Sequence, residues 1–227
     1  MGGEIALLLL VVICAALMLG YPVALTRMSW AWLAVDLAVP LLALHVLRVM
    51  EERDAAMDAL LELSATDPLT GLPNRRGFSA RAAAALAQAG RAGLPSAVLA
   101  LDLDRFKSIN DAHGHPAGDA VLVALAEVLR GAVRGQDVAG RLGGEEFALL
   151  LPGTTREEAA AIAARLLAAV PAGVPHPAGG EARVTTSIGL AMVPKGRPAR
   201  ALAAALGRAD QALYAAKRNG RNRVEAA

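Results

Sequence analysis

Hydrophobic and polar positions are spread unevenly along this chain. Ile5 to Leu25 is an apolar run, and Trp30 to Leu47 is a second, interrupted by Asp36 and Pro40. The first is about as long as a membrane-spanning helix requires, ~20 residues. With the short polar turn Thr26 to Ser29 between them, the two runs read as a helical hairpin that crosses a bilayer twice. A secretory signal peptide fits less well. Glu4 stands where such a peptide carries positive charge, and no small-x-small cleavage site precedes a soluble start. Bulky Ile13 before Cys14 argues against a lipoprotein signal. Arg48 and Arg53 favour a cytoplasmic C-terminal side, although Arg27 pulls the other way. Asp36 is read as lying near the interface of a short, tilted helix. Arg48 to Ala65 follows as one continuous helix, in which Val46, Met50, Met57 and Leu60 keep a 4-then-3 spacing and Arg53 interrupts the seam. Two heptads at most leave a short parallel coiled coil and a single amphipathic helix equally open. The helix should stop near Thr66-Asp67-Pro68, because the residue before proline is driven out of the α region.

Beyond Pro68 the pattern changes to that of an ordinary folded domain. Helices are expected at Arg75–Ala89, Ala117–Arg134, Thr155–Ala169 and Ala199–Asn219. Strands are expected at Ser96–Leu103 and Ala182–Val193. A hairpin of Asp137–Leu142 and Phe147–Leu151 should turn at Gly143-Gly144, because glycine accepts positive φ without steric cost. Period-2 alternation would then aim Glu145 and Glu146 at opposite faces. This mixed order points to an α+β fold rather than alternating βαβ units. The expected organisation is a membrane hairpin over 1–47, a linker helix over 48–65 and one domain over 66–227.

Composition sharpens this division. The chain has 227 residues, 55% of them hydrophobic, and residues 1–47 carry only Glu4, Arg27 and Asp36 as formal charges. A net charge of +2 and 3% aromatic residues imply neither a broad basic surface nor stacking platforms, so nucleic acid is not an expected partner. Cys14 is the only cysteine, which excludes a disulfide framework and a cysteine-based zinc site.

Carboxylates mark the candidate chemistry. Asp102 ends a buried strand, and with a hairpin glutamate it could hold a hard cation such as Mg2+, which prefers oxygen ligands. By themselves two aspartates at a strand end, Asp102 and Asp104, are more often solvated punctuation. His113 and His115 lie two residues apart in a Gly-rich loop. An oxygen-rich site argues against a histidine metal pair there, and both are read as structural. His45 is read as interfacial and His176 as a loop residue.

Four segments together resemble one family. DPLTGLPNRR (67–76), the stretch from Asp102 to Asp119, RLGGEEF (141–147) and the run from Tyr214 to Asn222 are similar to the motifs of GGDEF diguanylate cyclase domains, with the signature turn in its GGEEF form. The second segment follows the family's DxDxFKxINDxxGHxxGD, and the last its YxAKxxGRN. The resemblance covers nearly all of residues 64–227. It implies a palm-like fold, a mostly antiparallel sheet flanked by helices. It implies the condensation of two GTP into cyclic di-GMP, with release of pyrophosphate, between two copies of the chain. By the same match Asp102, the Leu103 carbonyl and Glu145 are metal ligands, for two Mg2+ per site with Mn2+ as a substitute. Glu145 is the first choice for proton acceptor, Glu146 the second. Lys107 and the backbone of Arg105, Phe106 and Lys107 face phosphate, Lys217 and Arg221 clamp it, and Asn110 and Asp119 read guanine.

Arg134-Gly135-Gln136-Asp137 matches the family's inhibitory RxxD, separated from Gly143 by five residues, with Arg165 as a second contact and Asp137 orienting Arg134. RxxD alone carries no information; its position does. The implied protein is a homodimer in the bacterial inner membrane, multi-pass, with its catalytic domain in the cytoplasm and cyclic di-GMP as product and inhibitor. The alternatives are a degenerate module that binds GTP or cyclic di-GMP without turnover and, more weakly, a membrane scaffold.

Overall fold

The computed structural model describes residues 38–51, 53, 65–180 and 182–227. Two compact units divide the chain, Met1–Leu63 and Ser64–Ala227. In the first, residues 38–51 form one helix, which runs without a break through the expected boundary at Leu47-Arg48. The expected span Ile5–Leu25, the start of Trp30–Leu47, and the seam positions Met57 and Leu60 lie outside the described residues. Among the described residues no helix is long and apolar enough to cross a membrane.

The second unit holds five helices and five strands among its described residues. They are α1 (Arg75–Arg91), β1 (Ser96–Leu103), α2 (Phe106–His113), α3 (His115–Ala132), β2 (Val138–Gly143), β3 (Glu146–Pro152), α4 (Arg156–Gly173), β4 (Thr186–Met192), α5 (Pro198–Arg218) and β5 (Val224–Ala226). The sheet order is β2-β3-β1-β4-β5. Every pairing is antiparallel except β4 with β5, which is parallel. The expected α+β, mostly antiparallel architecture holds; β5 was not anticipated.

Central position explains why β1 is buried at all eight residues. Leu99, Leu101 and Leu103 point to a core shared with α3 and α4, while Val98 and Ala100 point to a second core with α1 and α5. The face toward α5 is built from small side chains. Ala205, Ala209 and Ala216 of α5 are fully buried, and a Cβ on Gly189 of β4 would lie 2.0 Å from the Ala209 carbonyl oxygen. Alanine against glycine is what lets α5 lie so close to the sheet.

Most element ends shift by one or more residues from expectation, and three elements show why. α3 starts at His115 and ends at Ala132, because Pro116 suits a first helical turn and residues 134–137 form a turn. α4 passes through Pro171 to Gly173, since so near its end proline costs the helix little more than one N–H bond. β4 begins at Thr186 rather than Ala182 because its partner β1 ends at Leu103, opposite Thr186.

Candidate active site

The hairpin turn lies one residue later than the sequence suggested. Gly144 and Glu145 form it, and Gly143 still belongs to β2. A register shift between Arg141 and Gly143 places an extra residue in β2, as in a β-bulge. Positive φ at Gly143 (154°) and Gly144 (49°) accounts for both glycines. Glu145 is therefore a half-buried turn residue, not a strand residue, and only Glu146 opens β3, exposed. The alternation argument does not apply to this pair.

The 67–76 loop holds this hairpin from behind. Arg141 donates to the Gly144 carbonyl at 2.9 Å and pairs with Asp67 at 3.1 Å. Asp67 also accepts from the Thr70 amide (2.8 Å) and hydroxyl (2.6 Å). Burial pushes the Asp67 carboxyl up, but these donors and Arg141 outweigh it and hold it below its ordinary pKa. Arg130 of α3 donates to the Thr70 carbonyl. Arg75, just after the Asn74 cap of α1, donates to the Leu142 carbonyl at 3.1 Å and lies 3.7 Å from Glu146.

Strand alternation decides where the carboxylates meet. Asp102 shares its parity with Val98 and Ala100, so its side chain projects to the α5 face, and its register partner on β3 is Glu146. There Lys217 of α5 approaches Asp102 Oδ2 at 2.7 Å. Asp102 is 5% exposed, and its other oxygen, Oδ1, is buried without a hydrogen-bond partner. Burial pushes the Asp102 carboxyl up; Lys217 opposes that, and Glu146 and Asp104 add to it. Glu145 is raised as well, by burial and then by Asp102. Asp210 of α5, which sequence reasoning missed, also faces Glu146; desolvation and then Glu146 raise its carboxyl.

This is the donor set a hard cation needs. A buried, partnerless carboxylate oxygen on Asp102, next to a Glu145 carboxyl that Asp102 makes harder to ionise, is relieved by positive charge. Among the described residues no group of three or more His, Cys, Asp or Glu side chains is placed to hold a metal. Main-chain oxygens such as the Leu103 carbonyl next to Asp102, waters and substrate phosphates could supply the remaining ligands of a hard cation.

α2 and α3 supply the next group. Phe106 is buried and Asn110 half-buried, while Lys107 and Asp119 are exposed. Asn110 Oδ1 is buried without a partner. It presses on Gly118 of α3, where a Cβ would lie 1.9 Å from it. Gly118, the residue before Asp119 in α3, thus makes the room that Asn110 occupies.

Asp104 belongs to the frame of the site rather than to solvent. It is 7% exposed and accepts from Thr185 Oγ1 (2.7 Å), Ser187 Oγ (2.7 Å) and the Asn222 amide (3.0 Å). It therefore ties β1, β4 and the turn after α5 that carries Arg221. The spacing Asp102-x-Asp104, facing the hydroxyl run Thr185-Thr186-Ser187, was the available signal. Arg221 is exposed, with φ 63°.

The RxxD residues form the turn between α3 and β2. Asp137 accepts from the backbone amide of Arg134 at 2.8 Å, and so shapes the turn that carries Arg134. Arg134 is exposed, and Arg165 is exposed on α4, which packs against α3. His113 meets His176 edge to face at 6.0 Å.

The family model "Diguanylate cyclase, GGDEF domain" matches residues 64–223. The chain is 44% identical over 162 residues, 71% of its length, to the diguanylate cyclase DgcP of Pseudomonas aeruginosa. It spans about a quarter to a third of the length of such curated relatives. The GGDEF domain of DgcB from Caulobacter crescentus, solved in complex with c-di-GMP, superposes with TM-score 0.65 at 36% identity over 72% of this chain and 95% of that one. The active GGEEF domain of a diguanylate cyclase from Vibrio cholerae gives TM-score 0.60 at 36% identity over 67% of this chain and 96% of that one. On sequence and fold together, this chain belongs to the GGDEF diguanylate cyclase domain family.

Proposed function

We propose that this chain is a diguanylate cyclase that joins two GTP into cyclic di-GMP, each of two copies holding one GTP. The observation that carries the reading is the partnerless, buried Oδ1 of Asp102 beside the hairpin carboxylate Glu145. Asp102 and Glu145, with the Leu103 carbonyl, would hold divalent Mg2+. Bound cations supply neutralisation of phosphate charge and acidify the attacking 3′-hydroxyl.

The chain's own residues do the rest. Glu145, already harder to ionise than an ordinary glutamate, accepts the 3′-hydroxyl proton, with Glu146 next in line. Lys107 and the free amides at the start of α2 stabilise charge on the phosphates. Lys217 and Arg221 hold the departing pyrophosphate end. Asn110 and Asp119 read guanine, because a carboxylate accepts from both N1–H and the 2-amino group. Adenine leaves that acceptor unmatched. The catalytic set Asp102, Lys107, Asn110, Asp119 and Glu145 is complete, which speaks against a module that binds without turnover. The V. cholerae relative described as active carries the same GGEEF form.

Cyclic di-GMP, bound by the DgcB domain, is proposed to inhibit this chain through Arg134, with Arg165 as second contact. The N-terminal segment is proposed to anchor the protein in the bacterial inner membrane with the catalytic unit in the cytoplasm. In support, the 38–51 helix exposes Leu41, Leu42, Leu47 and Met50. The deciding assay incubates the purified chain with GTP and Mg2+ and separates the products. Cyclic di-GMP is expected; its absence from a dimeric preparation overturns the reading.

A further inference from the structure

A second cleft opens on the other side of α2 from Asn110. Its volume is about 440 Å³, and its walls are α2, the loop between α4 and β4, and the turn after α5. Arg105, His113, His176, Arg183 and Arg221 line it, and among the described residues its one carboxylate is Asp104. All three Asp104 contacts are internal donors, so both of its oxygens are already engaged within the fold. The Arg105 and Arg221 guanidinium groups have no partner among the described residues. Arg183 is held by the Gly180 and Ala182 carbonyls at 2.9 and 3.0 Å through one nitrogen, which leaves the rest of its fork free.

The backbone points to the same place. Three non-glycine residues among those described have left-handed φ: Arg105 (57°), Arg221 (63°) and Asn222 (46°). All three line this cleft. Disfavoured conformations gathered at one site motivate a functional reading.

We propose that this cleft binds a small phosphate oligoanion, and that its ligand is inorganic pyrophosphate. Guanidinium forks suit phosphate oxygens bidentately, and three of them converge here with two imidazoles. Among the described residues no Phe, Tyr or Trp lines it, so the cleft lacks the aromatic platform that a nucleobase site commonly uses. The choice of pyrophosphate rests on the proposed reaction, which releases it next to Arg221. Arg221 lines this cleft and is the proposed clamp on the GTP phosphates, so bound pyrophosphate withdraws that clamp and slows the next turnover. Arg183 and His176 lie outside the family motifs, and His113 falls at an unspecified position within the second of them.

The test is titration calorimetry of sodium pyrophosphate into the full chain in detergent, without GTP or metal. Arg183→Gln and His176→Gln are compared with Lys107→Met, and orthophosphate and sulfate serve as parallel ligands. Pyrophosphate is expected to bind more tightly than either single anion. Its affinity should fall at least fivefold in the first two variants and stay within twofold in the third, while the KM for GTP of the first two is unchanged. Equal affinity in all variants, loss only in Lys107→Met, no preference over orthophosphate, or no binding at all overturns the proposal. Calorimetry needs no turnover, so failure to make cyclic di-GMP would sink the cyclase reading without altering this result.

Discussion

Asp102 and Asp104 stand two residues apart and are used in opposite ways. Asp102 keeps one oxygen without a partner, whereas Asp104 has both oxygens occupied. Because the native pKa of Asp102 is raised, the folded protein binds that proton more tightly than the unfolded chain does. Metal-free protein therefore loses stability as pH rises from the ordinary carboxylate range through the native pKa, and does not regain it at neutral pH. Asp102→Asn removes that loss. The variant should melt a few degrees higher than the parent at pH 7.5 without metal, the gap closing near pH 4, and should make no cyclic di-GMP. Melting below the parent at pH 7.5 would mean that the Lys217 pair outweighs desolvation. Asp104→Ala does the reverse. It strands three donors, should cost about 3 kcal/mol of stability, and should raise the KM for GTP by loosening the Arg221 turn, as thermal melts and steady-state kinetics would register.

At the scale of elements, the position of α5 sets the site. Its alanine face rests on Gly189, and the same helix brings Lys217 to Asp102. Gly189→Ala would put a methyl 2.0 Å from the Ala209 carbonyl oxygen and lift the helix. Overpacking of this kind costs about 2 kcal/mol, and the KM for GTP should rise more than kcat falls as Lys217 moves off. An unchanged melting temperature would show that α5 accommodates the methyl. The helix–strand order, and β1 to the residue, were legible because strong apolar runs are bounded by turn residues. The ends that were misplaced depend on partners. β4 starts where β1 ends, and the hairpin turn slips to Gly144-Glu145 because a residue is added between Arg141 and Gly143.

At the scale of the molecule, Ser64–Ala227 is one compact unit with its own two cores. It should fold when residues 1–63 are removed and melt in one transition. If two copies must meet for each product, the truncated chain's rate per protomer should rise with protein concentration, while the full chain in membranes should show no such dependence. At nanomolar protein the truncated chain should be at least tenfold slower. A rate per protomer independent of concentration would argue against a site shared between copies.

Sequence alone determined what depends on residue type at fixed spacing: the α+β order, the two-residue step from Asp102 to Asp104, and the carboxylates next to the Gly-Gly pair. Local chemistry suffices for these, because turns, caps and alternation are set by near neighbours. Only the tertiary structure decided which carboxylate is left with a bare oxygen and which is fully bonded. It likewise decided that Glu145 is a turn residue, that Asp137 serves the backbone, and that Arg105, Arg183 and Arg221 face one cleft. Those outcomes rest on contacts between residues far apart in the chain, where packing, not propensity, settles the geometry.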